Sequence, residues 1–186
     1  MPSRKNLKPK RCLLSLALLI AANTAQASEL DIAQRQWLAG YRSQAMGTIE
    51  KALKVTPNDL KLRFALGVMQ MDLGQQAAAQ ELFTALTQDF PDIADPYNNL
   101  AVIHAAKGEL DQAQKDLEQA LRLQPSHTQA LENLGDVLLR QAARAFQRAQ
   151  QSQTAPSPAL TQKLKRTQEL LSLSLSPATS EASAMK

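Results

Sequence analysis

The chain has 186 residues, with 21 basic and 17 acidic side chains, two histidines and one cysteine. The formal charge of +4 comes from the segment 1–27, which holds Arg4, Lys5, Lys8, Lys10 and Arg11 and no acid; the remainder has 16 basic against 17 acidic groups. An isoelectric point near 9.3 therefore gives no reason to expect nucleic acid as a partner, and the lone Cys12 excludes a disulfide framework within the chain.

The basic start is followed by an apolar run over residues 13–22 and by Ala25-Gln26-Ala27. This pattern predicts a secretory signal peptide, residues 1–27, cut after Ala27. A run of about ten apolar residues falls short of the roughly 20 that span a bilayer, so no stable membrane insertion is expected after cleavage. Cys12 stands before the apolar run rather than at the cut, which argues against a lipid-anchored form. The segment 28–186 contains no cysteine and must rely on core packing, for which it is long enough.

From there the chain repeats itself. Gly40, Gly74 and Gly108 recur at a constant step of 34, as do Pro57, Pro91 and Pro125. The same step separates Ala45, Ala79 and Ala113; Ile49, Phe83 and Leu117; Ala52, Leu86 and Ala120; and Leu66, Leu100 and Leu134. A period of 34 with Leu-Gly, Gly, A-x3-F and Pro in this order resembles the tetratricopeptide repeat. The resemblance covers residues 28–150 and implies an all-α solenoid of three to four helical hairpins, each with a helix A, a turn at glycine, a helix B and a stop at proline. Repeats are expected at 28–59, 60–93 and 94–127, with a degenerate one at 128–150.

In the first period helix A is short, as suits an N-terminal cap, with Trp37 packing its edge. In the second, helices are expected at 58–73 and 75–88. Asp95 followed by Pro96 predicts the start of the third helix A, with Asp95 as the cap. Gly67, Ala101 and Gly135 are small enough to let helix A approach its neighbour closely. In the fourth period Ala142 replaces the turn glycine. A-x3-F-x2-A returns there as Ala142, Phe146 and Ala149, on a step shortened to 29 from Ala113, Leu117 and Ala120. With five residues missing, either one long helix runs through the turn or a tight hairpin forms without glycine. A linker is expected at 151–158. Leu160, Leu164, Thr167, Leu170 and Leu171 then predict an amphipathic capping helix over 159–171, and a disordered tail at 172–186.

In proteins of this family helix A lines a concave groove that binds peptide segments. By repeat position, the resemblance assigns Lys61, Phe64, Val68 and Met71 to that groove, then Asn98, Asn99 and Val102, then Glu132, Asn133 and Asp136 with Arg140 beside them. Asn99 and Asn133 are one full period apart; they either form a ladder that binds the backbone of an extended peptide or bond to the adjacent repeat. Asp95, Gln129 and Asn133 stand where a carboxylate clamp would need cations. Glu132 and Asp136 would favour a basic or polar segment, unless they are only a solvated face.

A catalytic dyad would need a nucleophile or acid beside one of the two histidines, His104 and His127, whose neighbours are Ile103 and Ala105, and Ser126 and Thr128; His104 reads as a packed core side chain. Catalytic, metal and phosphate-binding motifs are absent from the sequence, so neither an enzyme nor a cofactor is expected. The expectation is a periplasmic interaction scaffold or adaptor, similar to small exported tetratricopeptide proteins of Gram-negative bacteria, that holds a protein or peptide partner in the cell envelope. The alternative is a self-assembling homo-oligomer that uses the array edge or a swapped C-terminal helix.

Overall fold

The computed structural model describes residues 28–152, 154–155 and 157–175. The expected signal segment 1–27 and residues 176–186 lie outside the described residues. Among the described residues there are eight α-helices and no strand, and no helix is long and apolar enough to cross a membrane. The chain divides into two compact units, residues 1–55 and 56–186.

The described part of the first unit is one hairpin, α1 (Glu29–Leu38) and α2 (Arg42–Val55). α1 opens with a capping box: the Ser28 hydroxyl oxygen accepts from the Asp31 N–H at 3.2 Å, and the Asp31 carboxylate accepts from the Ser28 N–H at 3.1 Å. Two otherwise unpaired groups at the helix start are thereby satisfied. Ala33, Ala45 and Ile49 are fully buried. Trp37 is half-buried, with the Arg42 guanidinium 4.5 Å from its ring centroid, a cation–π arrangement.

The second unit holds α3 (Leu60–Asp72), α4 (Gln76–Asp89), α5 (Ala94–Ala106), α6 (Leu110–Leu123), α7 (Thr128–Gln151) and α8 (Pro158–Leu175). α3–α4 and α5–α6 are antiparallel hairpins; α4 packs on α5, α6 and α5 on α7, and α8 on α7. The helix ends of the second repeat lie within two residues of those expected. Both hairpins turn at a glycine in the left-handed region, Gly74 at φ +73° and Gly108 at φ +80°. At the first, the Gly74 N–H donates to the Met71 carbonyl at 2.9 Å and the Gln75 N–H to the Gln70 carbonyl at 2.8 Å, so the last carbonyls of α3 are satisfied in a Schellman turn.

The repeating small and large residues form the core. Ala79, Phe83 and Leu86 of α4 and Ala113, Leu117 and Ala120 of α6 are fully buried. Phe83 meets Phe64 edge to face at 5.6 Å, and its ring lies against Gly67, where an added Cβ would be 2.7 Å from Phe83 Cζ. Ala101 is buried as expected. Gly135 differs: it is exposed, and an added Cβ would meet nothing within 4 Å.

That difference follows from the fourth period. α7 runs unbroken for 24 residues, so no helix B returns to place a ring over Gly135. With five residues missing and alanine at position 142, nothing forces a turn. α8 folds back on α7 instead, burying Leu164 and Thr167. It continues four residues beyond its expected end at 171, because no glycine or proline intervenes before Pro177; residues 172–175 are therefore helical rather than part of a tail. The expected linker is shorter too, since Gln151 closes α7 and Pro158 opens α8.

One cap also differs. α5 begins at Ala94, with Ile93 at the N-cap and no side-chain capping bond, so Asp95 lies inside the first turn. Pro96 is tolerated there because the first N–H groups of a helix have no acceptor within it. Other helices of this unit do carry capping side chains: Asp59 on α3 accepts from the Leu62 N–H at 3.0 Å, His127 Nδ1 on α7 accepts from the Ala130 N–H at 3.2 Å, and Ser157 Oγ on α8 accepts from the Leu160 N–H at 3.2 Å.

Candidate functional site

α5 and α7 lie side by side and enclose a cleft of about 180 Å³. Its floor is Ala101, Ala105 and Leu117, and Val102, Asn133, Asp136 and Arg140 reach its rim. Small residues on α5 create this space: alanine at 101 and 105 leaves room that longer side chains would fill. Four of the expected groove residues are thus brought together, and Asn98 joins them through a hydrogen bond to Asn133.

Of the two readings of the asparagines, Asn133 follows the second and bonds to the adjacent repeat. Asn133 Nδ2 donates to Asn98 Oδ1 at 2.8 Å, whereas Asn99 Nδ2 donates back to the Asp95 carbonyl of its own helix at 3.1 Å. Asn98 is buried and faces α7. Asn133 therefore joins adjacent repeats, and its amide presents only part of its hydrogen-bonding capacity to the cleft. Arg140 Nη1 likewise donates to the Ala105 carbonyl at 3.3 Å. Glu132 is exposed.

The α3 candidates do not line this cleft. Phe64 and Met71 pack on the cluster of Phe83, Leu86, Leu100 and Ile103, while Lys61 and Val68 are exposed.

His104 is the centre of a network that neighbouring sequence does not reveal. Its Nδ1 is 2.6 Å from Asp116 Oδ2, Gln112 Nε2 donates to Asp116 Oδ1 at 2.9 Å, and Gln80 Nε2 is 3.2 Å from His104 Nε2. Lys107 in turn donates to Gln80 Oε1. Carboxylate, amide and ammonium groups meet in this network, which ties α4, α5 and α6 together. The available signal was Asp116 itself, a charged residue within the buried stripe Leu110, Ala113, Leu117 and Ala120 of α6. His127 makes a second link: its Nε2 is 3.2 Å from Asp95 Oδ1. Among the described residues, no group of three His, Cys, Asp or Glu side chains is placed to hold a metal ion.

The tetratricopeptide repeat profile matches residues 94–127, the α5–α6 hairpin with its flanking turns. Human superkiller complex protein 3 is 24% identical over 141 residues, covering 72% of this chain but 9% of its own length. The crystal structure of YrrB, described as a tetratricopeptide protein with an unusual peptide-binding site, superposes with a TM-score of 0.52 at 26% identity, over 56% of this chain and 54% of YrrB. The first tetratricopeptide domain of Spaghetti (RPAP3), bound to the HSP90 peptide SRMEEVD, superposes with a TM-score of 0.57 at 18% identity, over 61% of this chain and 90% of that one. The paired helices, the glycine turns at a constant step along the chain and these likenesses give the chain the tetratricopeptide-repeat fold.

Proposed function

We propose that this protein is a non-catalytic interaction adaptor that holds a peptide segment of a partner in the cleft between α5 and α7. The observation that carries the reading is the cleft itself: alanines at its floor and Val102, Asn133, Asp136 and Arg140 at its rim. It offers an apolar surface with a few oriented polar groups, as a peptide-binding groove requires. The peptide-binding descriptions of YrrB and of the Spaghetti domain support the same use of the fold.

The location proposed is the periplasm of a Gram-negative bacterium, with a partner in the cell envelope. This rests on the signal-like segment 1–27. A cut after Ala27 would leave the first described helix and its cap at Ser28 whole.

A photo-crosslinking residue at Val102, with one at Lys115 on the exposed side of α6 as control, tests the reading in an envelope extract. Capture from Val102 alone, competed by unlabelled protein, is the expected result. Capture from both positions equally, or from Lys115 alone, would remove the cleft as the site.

The self-assembly alternative is favoured by a different feature. Leu131 and Leu138 on α7 are 51% and 45% exposed on either side of Gly135, the face that lacks a helix B. Molecular mass measured over a hundredfold concentration range separates the readings, since an unchanging monomer is incompatible with assembly through this face.

A further inference from the structure

Arg140 stands between two clefts. Beyond it, at the C-terminal end of α5, a second space of about 350 Å³ is bounded by Lys107, Arg140 and Arg144, with Leu110 and Leu171 as apolar walls. Ala105, Ala106 and Arg140 border both spaces, so the two adjoin as a trench along α5 and α7 that the bond from Arg140 to the Ala105 carbonyl crosses. Its outer end is closed by α8 through Leu171.

The charges along this trench are divided. Asp136 lines the first space only, whereas the second carries three cations and no carboxylate. None of the three forms an ion pair among the described residues: Arg140 and Arg144 each place one N–H on a carbonyl, of Ala105 at 3.3 Å and of Gly108 at 3.0 Å, and Lys107 meets the Gln80 amide. The nearby Asp111 is engaged by Gln141 Nε2 at 3.1 Å. The two arginines cover carbonyls at the end of α5 that would otherwise repel an anion. A guanidinium has five N–H donors in a planar fork, so most of their donors are left for a ligand.

Resting on the groove reading above, we propose that this basic end receives acidic side chains of the bound polypeptide, with apolar flanking residues against Leu110 and Leu171. Asp136 then sets the direction of the segment by disfavouring acidic residues at the other end. Charge complementarity selects the partner: a segment with Asp or Glu at one end of a short apolar stretch.

The test uses random peptides displayed on phage with their C-termini fused to the coat protein, so that side chains are the only source of carboxylate. Panning on the protein is expected to select peptides enriched several-fold in Asp and Glu. That enrichment should vanish on an Arg140→Gln/Arg144→Gln variant, and on Arg144→Gln alone, which alters an exposed side chain and spares the fold. A synthetic amidated copy of a selected peptide should bind about tenfold more weakly when its acidic residue is changed to glutamine, the loss of a charge-assisted hydrogen bond. Peptides selected without acidic bias would overturn this inference and leave the cleft standing. An acidic bias that persists on both variants would also overturn it, and failure to select any peptide would remove the groove reading as well.

Discussion

His104 Nδ1 lies 2.6 Å from Asp116 Oδ2, with each side chain only 11% exposed. The hydrogen-bond network assigns the ring's protons: Nδ1–H donates to the carboxylate, and Nε2 accepts from the Gln80 amide, whose oxygen is occupied by Lys107. Buried polar groups are tolerated when every member has a partner and are costly when one is removed. Asp116→Ala leaves the His104 N–H without its acceptor and should lower stability by roughly 2–3 kcal/mol in a urea melt. The double variant His104→Phe/Asp116→Leu, which removes both polar groups, should recover much of that loss. Additive losses in the double variant would show that the pair is not coupled.

Gly67 and Gly135 occupy the same repeat position but should respond oppositely to alanine. At Gly67 the new methyl would stand 2.7 Å from Phe83 Cζ, in a ring that is fully buried and in edge contact with Phe64, so Gly67→Ala should cost about 1–3 kcal/mol through overpacking. At Gly135 the space is open and the backbone is mid-helix, where alanine is favoured over glycine by about 0.5–1 kcal/mol. Gly135→Ala should therefore be neutral or stabilising. A large loss at Gly135 would mean that something packs on this face of α7 in solution.

The contrast between these glycines marks how far sequence reaches. The regular spacing of glycine and proline, with alanine and large apolar residues between, was sufficient for the hairpins because each residue type has a local physical role: a positive φ at Gly74 and Gly108, and a buried contact at Phe83 and Leu117. The path of the fourth period was not decided, since deleting the turn leaves helix continuation and a tight hairpin both compatible with local preferences. The helix won, and with it Gly135 lost its partner. At the cleft, repeat register put residues of α5 beside residues of α7, but it paired Asn99 with Asn133. The bonds run on the diagonal instead, from Asn133 to Asn98 and from Arg140 to Ala105, one position off the repeat register. Arg144 and Lys107 were not among the expected groove residues, because only the folded cleft, closed by Leu171 of α8, brings them together with Arg140.

The cap of α1 gives a pH prediction. The Ser28 hydroxyl and then its backbone N–H, bonded to Asp31, hold that carboxyl below the usual carboxylate range, with a smaller contribution from Arg35. A carboxyl whose folded value is depressed stabilises the fold above its unfolded value, near 3.9, and loses that contribution as pH falls through the lower folded value. The amides in the first turn of α1 should accordingly lose exchange protection below about pH 4, and Asp31→Asn should remove this pH dependence. Unchanged protection in the wild type down to about pH 2 would contradict it.

Asn99 and Asn133, one repeat apart, should separate structure from binding. Asn99 bonds within its own helix, to the Asp95 carbonyl, so Asn99→Ala should leave the melting temperature nearly unchanged, and any loss of peptide binding would report a direct contact. Asn133→Ala strands the buried Asn98 Oδ1, whose one partner among the described residues is Asn133 Nδ2. An unsatisfied buried acceptor costs about 1–3 kcal/mol, which for a chain of this size lowers the melting temperature by several degrees. Asn98→Leu/Asn133→Leu, which removes both amides, should restore stability but not binding if the cleft recognises a peptide backbone. Recovery of both together would show that the amides serve only to join α5 to α7.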